Sequence, residues 1–244
     1  MKLQFLGSGD AFGSGGRFNT CFHIRDRRGA FLVDCGASSM IAIRKFGIDP
    51  NGIRAILITH LHGDHFGGLP FFILDAQLVS RRTPPLTIAG PPGLRQRVTD
   101  AMENFFPGSS KVERRFTVDV RELEPRVRHD IEGVEVEPFV VRHASGAPAF
   151  ALRMTVDGKS LCYSGDTEWV DSLCEAAQST DLFIAEAYFS DKQMKFHLDW
   201  ATLSSHLPVI GARRVILTHM STEMLTKVGE IGCKAAEDGF IISL

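Results

Sequence analysis

The chain has 244 residues, of which 44% are hydrophobic and 23% are charged, and its formal net charge at pH 7 is −2. A chain of this length and composition can bury a sizeable core, and no apolar run approaches the roughly 18–20 residues that cross a bilayer. The nearly balanced charge excludes a strong electrostatic attraction to nucleic acid. The N-terminus lacks the pattern of a signal peptide, so we expect a cytoplasmic protein without a membrane partner.

Short β-branched apolar runs alternate with turns and amphipathic segments along the chain. These runs predict strands over Leu3–Leu6, Thr20–Arg25, Ala30–Asp34, Ile53–Thr59, Leu86–Ala89, Arg115–Glu122, Gly133–Val141, Ala149–Val156, Ser160–Ser164, Leu182–Ala185, Val215–Thr218 and Phe240–Ser243. Apolar residues at helical spacing predict helices near Leu69, Val170 and Trp200, and Ser38 and Gly47 are expected to begin and end another. Strands linked partly by hairpins and partly by helices predict an α/β protein with two sheets and helices outside them.

The Gly-rich segment Gly7–Gly16 follows the first predicted strand. It lacks the Gly-Lys-Ser/Thr ending of a Walker A loop, and no βαβ unit of the dinucleotide-binding type follows it. We therefore expect a turn between two strands. Its backbone amides could still contact a substrate phosphate.

The stretch that begins at Ile53 carries the clearest chemical signal. Its sequence, IRAILITHLHGDHFGGL, places His60, His62, Asp64 and His65 within six positions, between an apolar strand and a helix. Imidazoles and carboxylates in this H-x-H-x-D-H spacing suit Zn²⁺ and similar divalent ions. The alternative, surface histidines in a polar loop, is disfavoured because such crowding directly after a buried strand is specific to metal sites.

One loop cannot supply the ligands of two metal ions, so other segments must contribute. Three later strands end in residues of ligand type, at His143, Asp166 and His219. A rigid sheet offers such strand ends to an active site at its edge. Either histidine alone would more often be structural, but their recurrence at strand ends favours a ligand role.

The motifs THLHGDH, SGD at Ser164–Asp166 and LTH at Leu217–His219, together with His143, resemble those of the metallo-β-lactamase superfamily over nearly the whole chain. Within it the chain is most similar to ribonuclease Z and related small phosphodiesterases, including that of the carbon–phosphorus lyase pathway. The resemblance implies one metallo-β-lactamase-like domain over residues 1–244, a four-layer αββα sandwich. It also implies two divalent metal ions, with Zn²⁺ as the first choice and Mn²⁺ or Fe²⁺ as alternatives.

The resemblance implies a role for each predicted ligand. One ion would be held by His60, His62 and His143, the other by Asp64, His65 and His219, and Asp166 would bridge the two. Asp34, in FLVDCG, matches a carboxylate that supports the metal loop in the superfamily.

Two later segments carry the likeness to ribonuclease Z. His197, in FHLD at Phe196–Asp199, lies where those enzymes have a histidine that assists phosphodiester cleavage. Glu186, in LFIAEAYF, matches the acidic residue of their H-E-A-T segment, which steers that histidine. Ala185 and Tyr188 replace the histidine and threonine of that segment, so the pattern is kept in part. As alternatives, Glu186 could be a buried partner of another polar group, and His197 a structural residue at a helix N-terminus.

The chain departs from bacterial ribonuclease Z between His143 and Asp166. That enzyme has a tRNA-gripping arm at this place, whereas only the 22 residues 144–165 lie here, room for two strands and a turn. We therefore expect a domain without the arm, and a small-molecule partner rather than long RNA. The similarity to this branch also suggests a homodimer.

Together these features predict a dinuclear metal-dependent hydrolase that uses a metal-bridging hydroxide. Asp64 would orient the nucleophile, and His197 would stabilise developing charge or protonate the leaving oxygen. The first hypothesis is a phosphodiesterase acting on a small or cyclic nucleotide or a related diester. The alternatives are a lactone or thioester hydrolase of the same fold, ribonuclease Z-like RNA 3′-end processing, and a binding protein without catalytic activity.

Overall fold

The computed structural model describes residues 1–244, along which strands and helices succeed one another. The strands are β1 (Lys2–Gly7), β2 (Cys21–Asp26), β3 (Gly29–Val33), β4 (Ile53–Leu57), β5 (Leu86–Gly90), β6 (Val118–Glu122), β7 (His129–Ile131), β8 (Val134–Val141), β9 (Ala149–Val156), β10 (Lys159–Tyr163), β11 (Leu182–Glu186), β12 (Val215–Thr218), β13 (Lys234–Ala235) and β14 (Ile241–Ser243). The helices are α1 (Ser39–Lys45), α2 (Gly63–Phe66), α3 (Leu69–Leu78), α4 (Leu94–Phe105), α5 (Ser172–Ala177), α6 (Trp200–Ile210) and α7 (Thr222–Lys227). None of the helices combines the length and the apolar character that a membrane crossing requires.

The strands form two seven-stranded mixed sheets. The strand order is β14-β1-β2-β3-β4-β5-β6 in the first sheet and β13-β12-β11-β10-β9-β8-β7 in the second. Strands β3 to β6 pair in parallel in the first sheet, and β10 to β13 do so in the second. Because the carboxyl ends of parallel strands meet at one edge of a sheet, residues that follow β3 and β4 lie close together in the first sheet, as do those that follow β10 and β12 in the second. The two edges meet, since Nε2 of His65 lies 3.3 Å from Nε2 of His219.

Both faces of each sheet are buried. In β3, Phe31 and Val33 pack between the two sheets, whereas Leu32 packs against the helices outside the first sheet. In β11, Ile184 faces the space between the sheets and Phe183 the helices outside the second. Two-sided burial explains why these strands appear as continuous apolar runs. The helices outside both sheets complete the four-layer αββα arrangement that the sequence predicts.

Most predicted elements are confirmed within a few residues of their ends. The strand predicted over Arg115–Glu122 is shorter and begins at Val118. The sequence predicts no element over β7, β13, α4 or α7. In α4 the buried positions, including Val98 and Met102, lie among charged residues that face solvent, and the charges dominate the local composition. Strand β13 has two residues, too few for a periodic pattern.

Helix α1 begins after Ser38, as predicted, but the Ser38 hydroxyl does not cap it. The hydroxyl accepts instead from the amide of Asn19 at 2.7 Å, and the amide of Ser38 donates to the Asn19 side-chain oxygen at 3.2 Å. This reciprocal pair ties the segment before β2 to the start of α1. Gly47 follows the helix with φ 64°, the left-handed conformation expected after a helix end.

Candidate metal centre

The H-x-H-x-D-H segment lies between β4 and α3. β4 ends at Leu57, and His60 follows it after two residues. His62 precedes the short helix α2, which carries Asp64 and His65 on one turn. The amide of His65 donates to the carbonyl of His62 at 3.0 Å, so the segment folds back on itself. The His60 ring centroid consequently lies 5.0 Å from that of His62 and 4.0 Å from that of His65.

Three histidines form the first group of potential ligands: His60, His62 and His143. Nε2 of His143, which follows β8, lies 2.9 Å from Nδ1 of His62. Nδ1 of His143 donates to the carbonyl of Phe196 at 2.9 Å, and Nε2 of His62 donates to the carbonyl of Ala144 at 3.1 Å. Each of these imidazoles therefore turns its other nitrogen towards the centre of the group.

The second group contains Asp64, His65, Asp166 and His219. Nε2 of His65 lies 3.3 Å from Oδ2 of Asp64 and 3.2 Å from Oδ1 of Asp166. Nε2 of His219, which follows β12, lies 3.2 Å from Oδ2 of Asp64 and 3.3 Å from Oδ2 of Asp166. The four side chains come from three segments that are distant in sequence.

Asp166 lies between the two groups. Its Oδ2 is 3.9 Å from Nε2 of His60 and 4.0 Å from Nε2 of His143, in addition to its contacts in the second group. This is the place that the resemblance implies for a bridging ligand. The structure thus brings together every residue that the sequence predicts as a ligand, and the ligand roles themselves stay predictions.

Asp34 supports the segment of residues 60–65, which we call the first loop. Its side chain accepts from the Thr59 amide and hydroxyl, both at 2.8 Å, and from Nδ1 of His65 at 2.6 Å. The Thr59 hydroxyl in turn lies 3.1 Å from Nδ1 of His60. Hydrogen bonds of this kind fix the ring orientation and the tautomer of histidines that ligate metals. Asp34 therefore supports the loop as expected, and it leaves Nε2 of both histidines facing inward.

The pair His197 and Glu186 stands beside the second group. Nδ1 of His197 donates to Oε1 of Glu186 at 2.5 Å, and the other oxygen of Glu186 accepts from the amides of Thr167 (2.8 Å) and Leu198 (3.3 Å). Glu186 is fully buried, whereas the side chain of His197 is 18% exposed. The same Oε1 lies 3.5 Å from Nδ1 of His219. Glu186 therefore fixes His197 with its free Nε2 available at the site.

The acidic and basic groups of the centre shift each other's protonation. Burial raises the pKa of the Asp64 and Asp166 carboxyls, but the imidazoles around them outweigh it, so both pKa values lie below the ordinary value. Burial lowers the pKa of His65 and His219, and these carboxylates outweigh that effect, so both values are raised. Burial, helped by the nearby His65, lowers the pKa of His60 well below its ordinary value. His60 is therefore neutral, the form in which an imidazole binds metal.

The donor set fits divalent metal ions. Nε2 of His60 is buried and has no hydrogen-bond partner, and the polar atom of Asp166 that faces it lies 3.9 Å away. Buried polar atoms without a partner are costly, and a cation placed among them would remove that cost. Imidazoles with carboxylates, and no thiolate, are donors that Zn²⁺, Mn²⁺ and Fe²⁺ accept.

Sequence reasoning missed two residues that organise the site. The carbonyl of Phe196 orients His143, and Phe196 itself has φ 71°, which is unusual for a residue with a side chain. Glu168 accepts from the Phe196 amide at 3.0 Å and pairs with Arg142 at 2.8 Å. Phe196 acts through its backbone carbonyl, which every residue type has, so its identity gives no indication of this role. For Glu168, the only indication in the sequence was its position two residues after Asp166.

The packing of the first loop against residues 34–37 leads to a stability prediction. A Cβ at Gly36 would lie 2.1 Å from the carbonyl oxygen of Asp64 and 2.5 Å from Cβ of Asn19, whereas a Cβ at Gly63 would meet nothing within 4 Å. We expect Gly36→Ala to lower the free energy of unfolding by about 3 kcal/mol and to reduce bound metal. Gly63→Ala should change it by less than about 0.5 kcal/mol. Urea unfolding of both variants measures the difference, and equal midpoints would contradict the close approach.

Comparison with known proteins gives the class of protein. Human tRNase Z, short form, superposes with a TM-score of 0.81 at 29% identity, covering 100% of this chain and 99% of that one. The metallo-beta-lactamase fold protein YhfI from Bacillus subtilis superposes with a TM-score of 0.80, covering 99% and 98%, and its 17% identity shows the fold alone. In sequence, the ribonuclease Z of Agathobacter rectalis is 25% identical over 277 residues, covering 92% of this chain and 89% of its own.

The chain is a metal-dependent hydrolase of the metallo-β-lactamase fold, related to ribonuclease Z and to phosphodiesterases of that fold. Within this class the family is also defined. The chain belongs to the family described as Anti-Pycsar protein Apyc1, whose sequence profile matches residues 1–240.

Proposed function

We propose that the chain is a dinuclear phosphodiesterase that cleaves a small or cyclic nucleotide or a related diester. The observation that carries this proposal is the position of the His197–Glu186 pair, which adjoins the two ligand groups and shares Oε1 of Glu186 with His219. An acyl hydrolase of the same fold needs the ligand groups but has no use for such a pair. The ribonuclease name of the sequence relatives agrees with phosphodiester chemistry.

The two groups of side chains would each hold one ion. His60, His62 and His143 would bind the first, Asp64, His65 and His219 the second, and Asp166 would bind both, with Zn²⁺ as the first choice of metal. When bound, a pair of divalent ions neutralises charge on phosphate oxygens and lowers the pKa of a shared water.

The chain's own residues would carry the proton transfers. His197 would donate a proton from Nε2 to the leaving oxygen, because Glu186 occupies its Nδ1. Burial lowers the pKa of His197, but the hydrogen bond to Glu186 outweighs it and raises the pKa above the ordinary value, which favours the protonated donor. Asp64, whose side chain is 9% exposed, would accept a hydrogen bond from the attacking water and orient it.

The size of the substrate is argued from the segment between His143 and Asp166. Strands β9 and β10 fill it, joined by the turn at Asp157–Gly158. We propose that the whole chain acts as one domain without a tRNA-gripping arm, which favours a small diester over long RNA. A cytoplasmic location and a homodimer stay predictions.

The test is a substrate panel on purified protein loaded with Zn²⁺ or Mn²⁺, with the metal measured on the same sample. We expect hydrolysis of bis(p-nitrophenyl) phosphate and of at least one cyclic nucleotide or dinucleotide. Acyl lactones and glutathione thioesters should be poor substrates, and so should a tRNA precursor. Turnover of a lactone or thioester without any diester would favour the acyl hydrolase, and cleavage of the precursor alone would favour RNA processing.

A further inference from the structure

Phe12 is unusually exposed for an aromatic residue that stands on an ordered loop. It lies between β1 and β2, its relative exposure is 84%, and no other aromatic ring of the chain packs on it. Single exposed apolar residues are common on protein surfaces. Its exposure therefore gains meaning only from the way the loop is built and from where the loop lies.

The loop is held rigidly by one buried carboxylate. Asp10 is fully buried, and it accepts from the amide of Phe12 (3.1 Å) and from the amide and hydroxyl of Ser14 (2.9 and 2.7 Å). Asp238, near the C-terminus, accepts from the amides of Ser8 (2.9 Å) and Phe18 (2.8 Å) and so fixes both ends. Phe12 is thus displayed on a preorganised support, which lowers the entropic cost of binding a ligand.

The same loop borders the candidate active site. The carbonyl of Ser8 accepts from the amide of His219 at 3.1 Å. Burial, followed by the nearby charge of Asp10, which holds Phe12, raises the pKa of the Tyr188 hydroxyl. The Tyr188 ring centroid lies 4.9 Å from that of His197 and 6.1 Å from that of His219. The loop that displays Phe12 therefore adjoins the site directly at Ser8 and His219, and Phe12 lies four residues further along that loop.

We propose that Phe12 is a specificity-determining residue that stacks on the base of a nucleotide substrate. The inference rests on the proposed function and deepens it, since it requires a diester that carries an aromatic base. Stacking tolerates any base because each has a flat π-face, so Phe12 would select nucleotides over base-free diesters without choosing among bases. It makes no contact with the reacting atoms, and its effect should fall on KM.

The experiment compares wild type with Phe12→Ala and Phe12→Trp on two substrates, a nucleoside cyclic phosphate and the cyclic phosphate of methyl riboside, which lacks the base. Phe105→Ala is the matched control, because Phe105 is 54% exposed and lies on α4. We expect Phe12→Ala to raise KM for the nucleotide about tenfold or more, with kcat within about twofold and no change for the base-free substrate. Phe12→Trp should restore KM, and Phe105→Ala should match wild type.

Calorimetric binding of a nucleoside monophosphate and of ribose phosphate to the same proteins separates this inference from the proposed function. Loss of nucleotide binding in Phe12→Ala without loss of ribose phosphate binding supports the stacking role, even if wild type cleaves no diester and the proposed function falls. An unchanged KM and affinity, or an equal loss for both kinds of ligand, overturns it. A smaller oligomer in Phe12→Ala on a sizing column, with binding unchanged per site, would assign Phe12 to a contact between copies instead.

Discussion

Replacing Asp166 with alanine is expected to reduce diester turnover by on the order of 10³-fold or more, with loss of bound metal. Asp166 is the one carboxylate with contacts in both ligand groups. Its removal would leave His65 and His219 without the carboxylate that raises their pKa most. It would also take one ligand from each proposed ion, and an ion's stabilisation of transition-state charge is worth several kcal/mol.

Metal content by elemental analysis and turnover are measured together for this variant. Asp171→Ala is the control, because Asp171 is exposed and precedes α5. Because loss of a buried, paired carboxylate can also destabilise the fold, the wild-type protein gives a second measurement. Chelation should abolish its turnover and lower its melting temperature, because a ligand that binds only the folded state stabilises it. Readdition of Zn²⁺ should restore both. Full metal content and turnover in Asp166→Ala would contradict the bridging assignment.

The second large effect is expected for His197→Ala. Turnover of a diester should fall by about 10²–10⁴-fold, the usual contribution of a positioned acid or base, while the metal content stays at the wild-type level. The physical reason is that Glu186 holds His197, which belongs to neither ligand group that contains residues 60–65. His197 does lie within 4.8 Å of ligand atoms of Asp166 and His219, so metal content must be measured with turnover. Its loss should therefore remove a proton donor and leave the ions in place.

Glu186→Gln should lower turnover less than His197→Ala. The uncharged amide oxygen of glutamine can still accept the hydrogen bond from Nδ1 of His197, although it lacks the negative charge of the carboxylate. His206→Ala is the matched control. His206 lies on α6, its ring centroid is 3.7 Å from that of Trp169, and it belongs to no ligand group. Loss of metal in His197→Ala would show that its role is misassigned. Unchanged turnover on diesters, with turnover of lactones, would favour the acyl hydrolase.

The metal-ligand pattern of the first loop could be predicted because its residues are close to one another in the sequence. His60, His62, Asp64 and His65 lie within six positions, and ligand type and spacing there are direct consequences of the sequence. The alternation of β3 and β11 between two buried faces likewise follows from apolar runs of strand length. The strand-end residues His143 and His219 needed one further assumption, that strand ends of a two-sheet fold share an edge.

Other parts of the site depend on contacts that leave no sequence pattern. The carbonyl of Phe196 orients His143, and Glu168 holds the Phe196 amide. A backbone carbonyl can orient a histidine whatever side chain its residue has, so neither composition nor spacing predicts such a contact. The hydrogen bond from the His219 amide to the Ser8 carbonyl joins segments 211 residues apart. Helix α4 was not predicted because charged residues cover its exposed face.

The amino-acid sequence by itself therefore determined the class of chemistry, the types of ligand and which side chains of a strand face each buried side. These depend on residues that are neighbours or that repeat with the period of a helix or strand. The tertiary structure alone decided which nitrogen of each histidine turns inward, where Asp166 stands between the groups, and how Asp10 presents Phe12 beside the site. Those features depend on segments that are distant in sequence, 81 residues apart for His62 and His143 and 155 for Asp64 and His219, and the two sheets set their distances.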